Sequence, residues 1–271
     1  MPNLSSVLEV VTATHPGMVR SHNEDSLAAD AEIGLAVLAD GMGGYNAGEV
    51  ASGIAVEMIR TEMKKALASR MVEALDGGDA ERLIETHAAR ANTAIYRASQ
   101  SQPHYSGMGT TLVVALWHDD RLSVGHIGDS RLYRLRDGAL EQITRDHSLL
   151  QEQIDSGMIT REQARHSQNK NLVTRAVGID PEVETEVHTY SVQPDDLYLL
   201  CSDGLSDMVS DEDVQLTLSS LAANLPLAAE QLLQLANDNG GRDNISVILV
   251  RIAKRYPART GVLDRVKAWF K

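Results

Sequence analysis

Four aspartates stand where apolar runs stop or start: Asp40 after LAVLA, Asp129 after RLSVGHIG, Asp203 after LYLLCS, and Asp243 just before NISVILV. An Asp-Gly pair after a strand is, taken singly, the ordinary vocabulary of a turn. The recurrence changes the reading. If the strand opened by Asn244 runs antiparallel to the others, its start lies at the same sheet edge as their ends, and the four carboxylates can meet. Like charges at close range raise one another's pKa and resist joint ionisation, a cost that divalent cations remove. Oxygen donors without Cys or His select a hard ion, Mg²⁺ or Mn²⁺, and exclude a structural zinc. The glycines of DGMGG, from Asp40 onward, let the backbone turn tightly, offer a carbonyl or admit a ligand.

Around this set lie other residues that chemistry could use. Glu24 and Asp25 fall in RSHNEDS, with Arg20 four residues before Glu24. They read either as a solvated loop with a local ion pair or, beside a metal cluster, as an arginine whose planar fork grips phosphate oxygens. Cys201 is the sole cysteine. A cysteine-nucleophile phosphatase needs an arginine six positions on, where this chain has Asp207, so Cys201 reads as a small buried residue. His126 lies within a strand and reads as packed; His22 and His147 read as residues that orient loops.

The elements that must position these residues are strands read at 7–14, 34–40, 110–117, 121–129, 197–203 and 244–252, with a hairpin over 131–144 turned by Asp137-Gly138. Helical spacing appears in Val50, Ile54, Met58 beside Ala51, Ala55, Ile59, and again in Ile84, Ala88, Ala91, Ile95. A further helical region spans roughly 211–237. Helices cluster in blocks and do not alternate with strands, which favours α+β over a doubly wound parallel fold. The polar stretch 146–180 reads as a surface excursion of the kind that carries function.

The totals set the frame. The chain has 271 residues, a formal net charge of −13 and 43% hydrophobic residues, enough for a substantial core. The acidic balance disfavours nucleic acid and anionic membranes as partners and suits divalent metals. One cysteine, no basic leader and no long apolar run lead to the expectation of a cytoplasmic protein without a transmembrane segment.

Eight blocks in order, RSHNED, ADGMGG, GMGTT, IGDSR, TRDHS, NLVTRAVG, CSDGLSD and GGRDNISV, resemble the PP2C (PPM) family of metal-dependent protein serine/threonine phosphatases in its bacterial form. The resemblance implies a four-layer αββα sandwich: two antiparallel sheets flanked by helices, with a two-metal centre at one edge. Residues 1–252 would be the phosphatase domain, 146–180 its flap and 253–271 a basic tail. Asp40 would bridge two Mn²⁺ or Mg²⁺ ions, and the Gly41 carbonyl would ligate one of them. Asp203 and Asp243 would complete the first ion's shell and Glu24 would serve the second. A third ion, seen in bacterial relatives, would lie between Asp129 and Asp203. Arg20 would hold the substrate phosphate, and a metal-activated water would hydrolyse phosphoserine and phosphothreonine. Met42 stands where animal relatives carry a histidine proposed as general acid, and a thioether donates no proton.

The expected partners are phosphorylated proteins and a cognate Ser/Thr kinase with its substrates, met by a monomer. In the tail, Val262, Leu263, Val266, Trp269 and Phe270 share one face beside Lys267 and Lys271, a pattern for docking to a partner or a membrane surface. Two competing readings are a non-catalytic phosphoprotein-binding module and a two-metal nuclease or nucleotide hydrolase. Retention of Asp40, Asp203 and Asp243 counts against the first, and the acidic charge against the second.

Overall fold

Side chains on a strand alternate between two faces, so a strand covered on both sides must be apolar at nearly every position. That constraint explains the apolar runs. In the computed structural model, which describes residues 3–44, 46–68, 75, 78–160, 163 and 172–257, the strands form two sheets, antiparallel in every pairing. One has the order β1 (Leu8–His15), β11 (Ile245–Ile252), β10 (Leu197–Cys201), β7 (Arg131–Arg136), β8 (Ala139–Gln142). The other runs β2 (Asp25–Asp30), β3 (Leu35–Met42), β5 (Leu112–His118), β6 (Arg121–Ile127), β9 (Glu186–Ser191), with the short β4 (Gly109–Thr110) also on β3.

The sheets pack face to face. On β11, Ile248, Val250 and Ile252 enter the layer between the sheets, where Leu38, Val113, Trp117 and Tyr198 meet them. Ile245, Val247 and Leu249 of the same strand point the other way. They meet α4 (Asp203–Ser206), α5 (Asp211–Leu221) and α6 (Leu225–Asp238) through Leu205, Val214, Leu218 and Leu232. Across the sandwich, α1 (Ala47–Ala68) and α2 (Asp79–Ser101) cover the outer face of the second sheet, with Ile59, Met63, Ile84 and Ile95 on Val37, Val114 and Leu116. This is the αββα order that the resemblance implied.

Three details differ from the sequence reading. The strands β2 and β9 were not foreseen. They are the two edges of their sheet and are only partly buried. Their sequences, DSLAAD and EVHTYS, mix polar and charged residues with few large apolar ones and so lack the apolar run that betrays a central strand. The single helical region over 211–237 is two helices. Pro226 cannot continue a helix but suits its first turn, and the Asn224 side chain accepts from Leu227 N–H at 3.2 Å to cap the second. The strand at Asp40 runs on through Gly41 to Met42, as an antiparallel pairing with β4.

The hairpin turn at Asp137 and Gly138 has the positive φ angles expected of it, 51° and 78°. Within the stretch 146–180 that the resemblance reads as a flap, α3 spans Leu149–Asp155, and residues 161–162 and 164–171 lie outside the described set. So do the tail residues 258–271 that carry Trp269 and Phe270. The segment after β11 stays on the body for several residues. Ala253 N–H donates to the Val7 carbonyl at 2.7 Å. Tyr256, 5% exposed, joins the inter-sheet core, and its hydroxyl is 3.1 Å from the Arg121 carbonyl. Tyr256→Ala is therefore expected to cost about 3 kcal/mol of unfolding free energy through the cavity it leaves, read as a lower urea midpoint. A change under about 1 kcal/mol would mean that the segment is not part of the core.

Candidate metal centre

The register brings the acidic residues to one end of the sandwich. Asp25 lies directly opposite Asp40 on β2 and β3. Strands β3 and β6 both pair antiparallel with β5, so they run in the same direction and deliver Asp40 and Asp129 to the same end. On the other sheet, β10 ends just before Asp203, and the antiparallel β11 begins just after Asp243. The expectation about the last strand's direction holds.

Hydrogen bonds hold Asp40, Asp243 and Asp25 in place. Thr110 Oγ1 and Thr111 N–H both donate to the Asp40 carbonyl, at 2.8 and 2.9 Å, and Asp40 N–H donates to Thr111 Oγ1 at 3.0 Å. Asn244 N–H donates to Asp243 Oδ1 at 2.9 Å, and its side-chain amide ties the loops before β2 by donating to the carbonyls of Pro16 and His22. Ser202 Oγ donates to Asp25 Oδ2 at 2.8 Å. Gly41 has no room for a side chain, because a Cβ there would overlap the Gly48 carbonyl at the start of α1. A Cβ on Gly48 would in turn press on the Glu24 carboxyl at 2.8 Å. The glycines after Asp40 thus let strand, helix and the Glu24 loop approach closely.

The electrostatics are those of a site short of positive charge. Burial first, and then the charges of Asp25, Asp203, Asp129 and Asp243, hold Asp40 well above the usual carboxylate range. Asp203 is raised in the same way, by burial and then by Asp129 and Asp207. Burial lifts Asp25 to about 6 against hydrogen bonds from Ser246 and Ser202 that oppose it. It lifts Asp129 to about 6 as well, helped by Asp146 and Asp207. Glu24 is raised by burial, with Arg20 pulling the other way. Asp25 Oδ1 and Asp203 Oδ1 are buried without a hydrogen-bond partner among the described residues. Oxygens left so, in a group of carboxylates without His or Cys, fit hard divalent cations.

At the rim, Arg20 Nη2 pairs with Asp243 Oδ2 at 2.6 Å, their side chains 51% and 28% exposed. A cleft of about 390 Å³ opens from Asp129 and Asp203 between Leu150 and Ile154 of the flap helix and Met208 and Val209 after α4. Cys201 is sealed in the helix-side core, where burial pushes its thiol up to about 12. It takes no part in the site.

All six foreseen ligand positions and Arg20 thus belong to this end of the molecule. Sequence reasoning named Asp25 without giving it a place in the ligand set, and passed over Asp207 and Asp146 around Asp129. Recognising DSLAAD as a strand would have placed Asp25 opposite Asp40.

These features are those of a divalent-metal enzyme built on an αββα sandwich, with Arg20 paired to Asp243 at the rim. The chain belongs to the protein phosphatase 2C family, whose model matches residues 19–246. Serine/threonine protein phosphatase PstP of Mycobacterium tuberculosis is 38% identical over 252 residues, 93% of this chain and 46% of that protein, so the chain spans about half that relative's length. Serine/threonine phosphatase stp of Listeria monocytogenes is 36% identical over 240 residues, 88% of this chain and 93% of its own. The solved catalytic domain of PstP in complex with 2 manganese ions superposes with a TM-score of 0.80 at 39% identity, over 92% of this chain and 99% of that one. Stp1 of Staphylococcus aureus gives a TM-score of 0.82 at 33% identity, over 93% and 97%.

The raised carboxyls generate a stability prediction for the metal-free protein. Each binds its proton more tightly folded than unfolded, so its contribution is fully present below about pH 4 and is lost as pH rises through about 6. In chelator, Asp25 and Asp129 therefore make Tm rise as pH falls across that window, relative to an Asp25→Asn, Asp129→Asn variant. Saturating Mn²⁺ should reverse the difference, because the ion favours the ionised carboxylates. Identical pH slopes for the two proteins in chelator would refute the electrostatic account.

Proposed function

We propose that this chain hydrolyses phosphoserine and phosphothreonine in proteins with Mn²⁺ or Mg²⁺ as cofactor. The observation that carries this reading is the convergence of Asp40, Asp129, Asp203 and Asp243, with Asp203 Oδ1 and the neighbouring Asp25 Oδ1 buried without a hydrogen-bond partner among the described residues. Asp40, the Gly41 carbonyl, Asp203 and Asp243 are assigned to the two central ions together with Glu24. Asp129 and Asp203 are assigned to a third. Asp25, bonded to Ser202 and opposite Asp40, orients the set. When bound, such ions lower the pKa of a water and offset negative charge on phosphoryl oxygens.

The chain's own residues supply orientation. Asn244 and Arg20 hold the two oxygens of Asp243. The half-exposed guanidinium of Arg20 keeps further donors for a substrate phosphate, the bidentate geometry that arginine provides. Thr110 and Thr111 pin the Asp40 backbone. Met42 gives the leaving alcohol no proton. The cleft of about 390 Å³ beside Asp129 and Asp203 is assigned to side chains that flank a phosphoresidue.

Reversal of phosphorylation by a bacterial Ser/Thr kinase is the role this activity supports, carried out by a monomer in the cytoplasm. Among the described residues no helix is long and apolar enough to cross a membrane. The tail 253–271, of which Ala253 and Tyr256 contact the body, is assigned to docking through its aromatic pair.

Release of phosphate from a phosphothreonine peptide tests the reading. Turnover should require Mn²⁺, vanish in excess EDTA, and fall at least about 100-fold in Asp203→Ala, beyond what loss of an outer-shell partner costs. Arg20→Ala should lower kcat/KM about 10- to 100-fold, the worth of a hydrogen bond to a charged group, mainly through KM. Tight Mn²⁺ binding without turnover would make the chain a binding module, and turnover of a phosphodiester in preference to the peptide would make it a nuclease.

A further inference from the structure

His147 makes more contacts with the site's framework than loop orientation requires. Its backbone N–H donates to the Gly128 carbonyl at 2.9 Å, and Gly128 N–H donates back to His147 Nδ1 at 3.1 Å. One residue thus occupies both hydrogen-bonding groups of Gly128, whose φ of +100° turns the chain into Asp129. The other side of His147 holds the flap. Its carbonyl accepts from Thr174 N–H at 2.9 Å, where the returning limb begins to pair through Ser148 and Val173. The ring lies 4.6 Å from that of His126 in a stack, and Nε2 is 3.2 Å from Glu186 Oε2.

The ligand atoms of His126, His147 and Glu186 lie within 4.8 Å of one another, close enough for a metal by distance alone. The hydrogen bonding argues otherwise. With Nδ1 accepting from Gly128, the neutral ring carries its hydrogen on Nε2 and gives it to Glu186. A metal on Nε2 would have to displace that hydrogen, and a ligating histidine donates through its other nitrogen, here facing a donor. The group is built to fix a ring.

We propose that His147 is a positioning residue for Asp129: through Gly128 it holds that carboxylate in place for a metal ion and ties the flap's two limbs to the same point. This rests on the assignment of Asp129 as a metal ligand made above. His147 touches neither substrate nor metal. The side chain on its other flank, Asp146, is held by Arg131 Nε and Nη2 at 3.0 and 2.7 Å, so two carboxylates that repel each other are kept in fixed positions by neighbouring residues.

The test uses the full chain, stripped with chelator and titrated calorimetrically with Mn²⁺, alongside phosphopeptide turnover over the same Mn²⁺ range. His147→Leu is expected to weaken the weakest class of Mn²⁺ sites about 10-fold, leave the tighter ions unchanged and raise the Mn²⁺ needed for half-maximal turnover. His147→Asn, whose Oδ1 can accept from Gly128 in place of Nδ1, should restore most of the affinity. In an Asp129→Asn background, His147→Leu should cause no further loss, since a residue acting through Asp129 has nothing left to act on.

Equal losses in both backgrounds would overturn the proposal, as would a wild-type isotherm with no weak class. If the Leu variant does not melt cooperatively, Asn against Gln decides, because Gln carries its acceptor away from Gly128; equal behaviour of the two overturns the proposal. A weak class that depends on His147 in a protein without phosphate release would support this inference while defeating the phosphatase reading.

Discussion

Mutual repulsion among buried carboxylates is the constraint to which the rest of the molecule answers. Asp25, Asp40, Asp129 and Asp203 are brought close in a region where burial alone already disfavours their charged forms. A free chain would separate them. They are held together because Asp25 opens β2, Asp40 lies near the end of β3, Asp129 and Asp203 stand two residues past β6 and β10, and apolar layers lock these strands. Folding energy from the sandwich is thereby stored as electrostatic potential at one edge, which a divalent cation then relieves.

This division of labour explains the polar network around the site. The hydrogen bonds of Thr110, Thr111, Ser202 and Asn244 go largely to backbone carbonyls and to single carboxylate oxygens, and they leave other oxygens open. A network that satisfied every lone pair would have removed the affinity for metal. The close approaches at Gly41 and Gly48 serve the same end by seating the first turn of α1 against the strand that bears Asp40.

How much of this could be read in advance is set by physical rules. Central strands announce themselves by apolar runs, so Asp40, Asp129, Asp203 and Asp243 could be placed at strand ends and the direction of the last strand inferred from the chemistry. The stripe of Ile84, Ala88, Ala91 and Ile95 gave α2 its buried face, which the structure confirms. The edge strand β2 lacks such a run, and with it hidden the opposition of Asp25 and Asp40 was hidden too. The break between α5 and α6 was visible in Asn224 and Pro226 and was passed over. The pairing of His147 with Gly128 joins residues 19 positions apart across a turn, and no local periodicity reports such a contact.

The position of Cys201 carries a consequence for life in an oxidising burst. Peroxide attacks thiolates, and burial in a sealed core pushes the Cys201 thiol up to about 12, which disfavours the thiolate. The protein's single thiol is thus shielded from such oxidants, and the metal centre proposed above uses no sulfur that they could attack. Among the described residues, the strongly exposed sulfurs are the thioethers of Met18, two residues before Arg20, and Met158, on the flap. Oxidation there yields sulfoxides that reductases can repair, so the record of oxidative stress would be written on exposed thioethers while the sealed thiol stays intact.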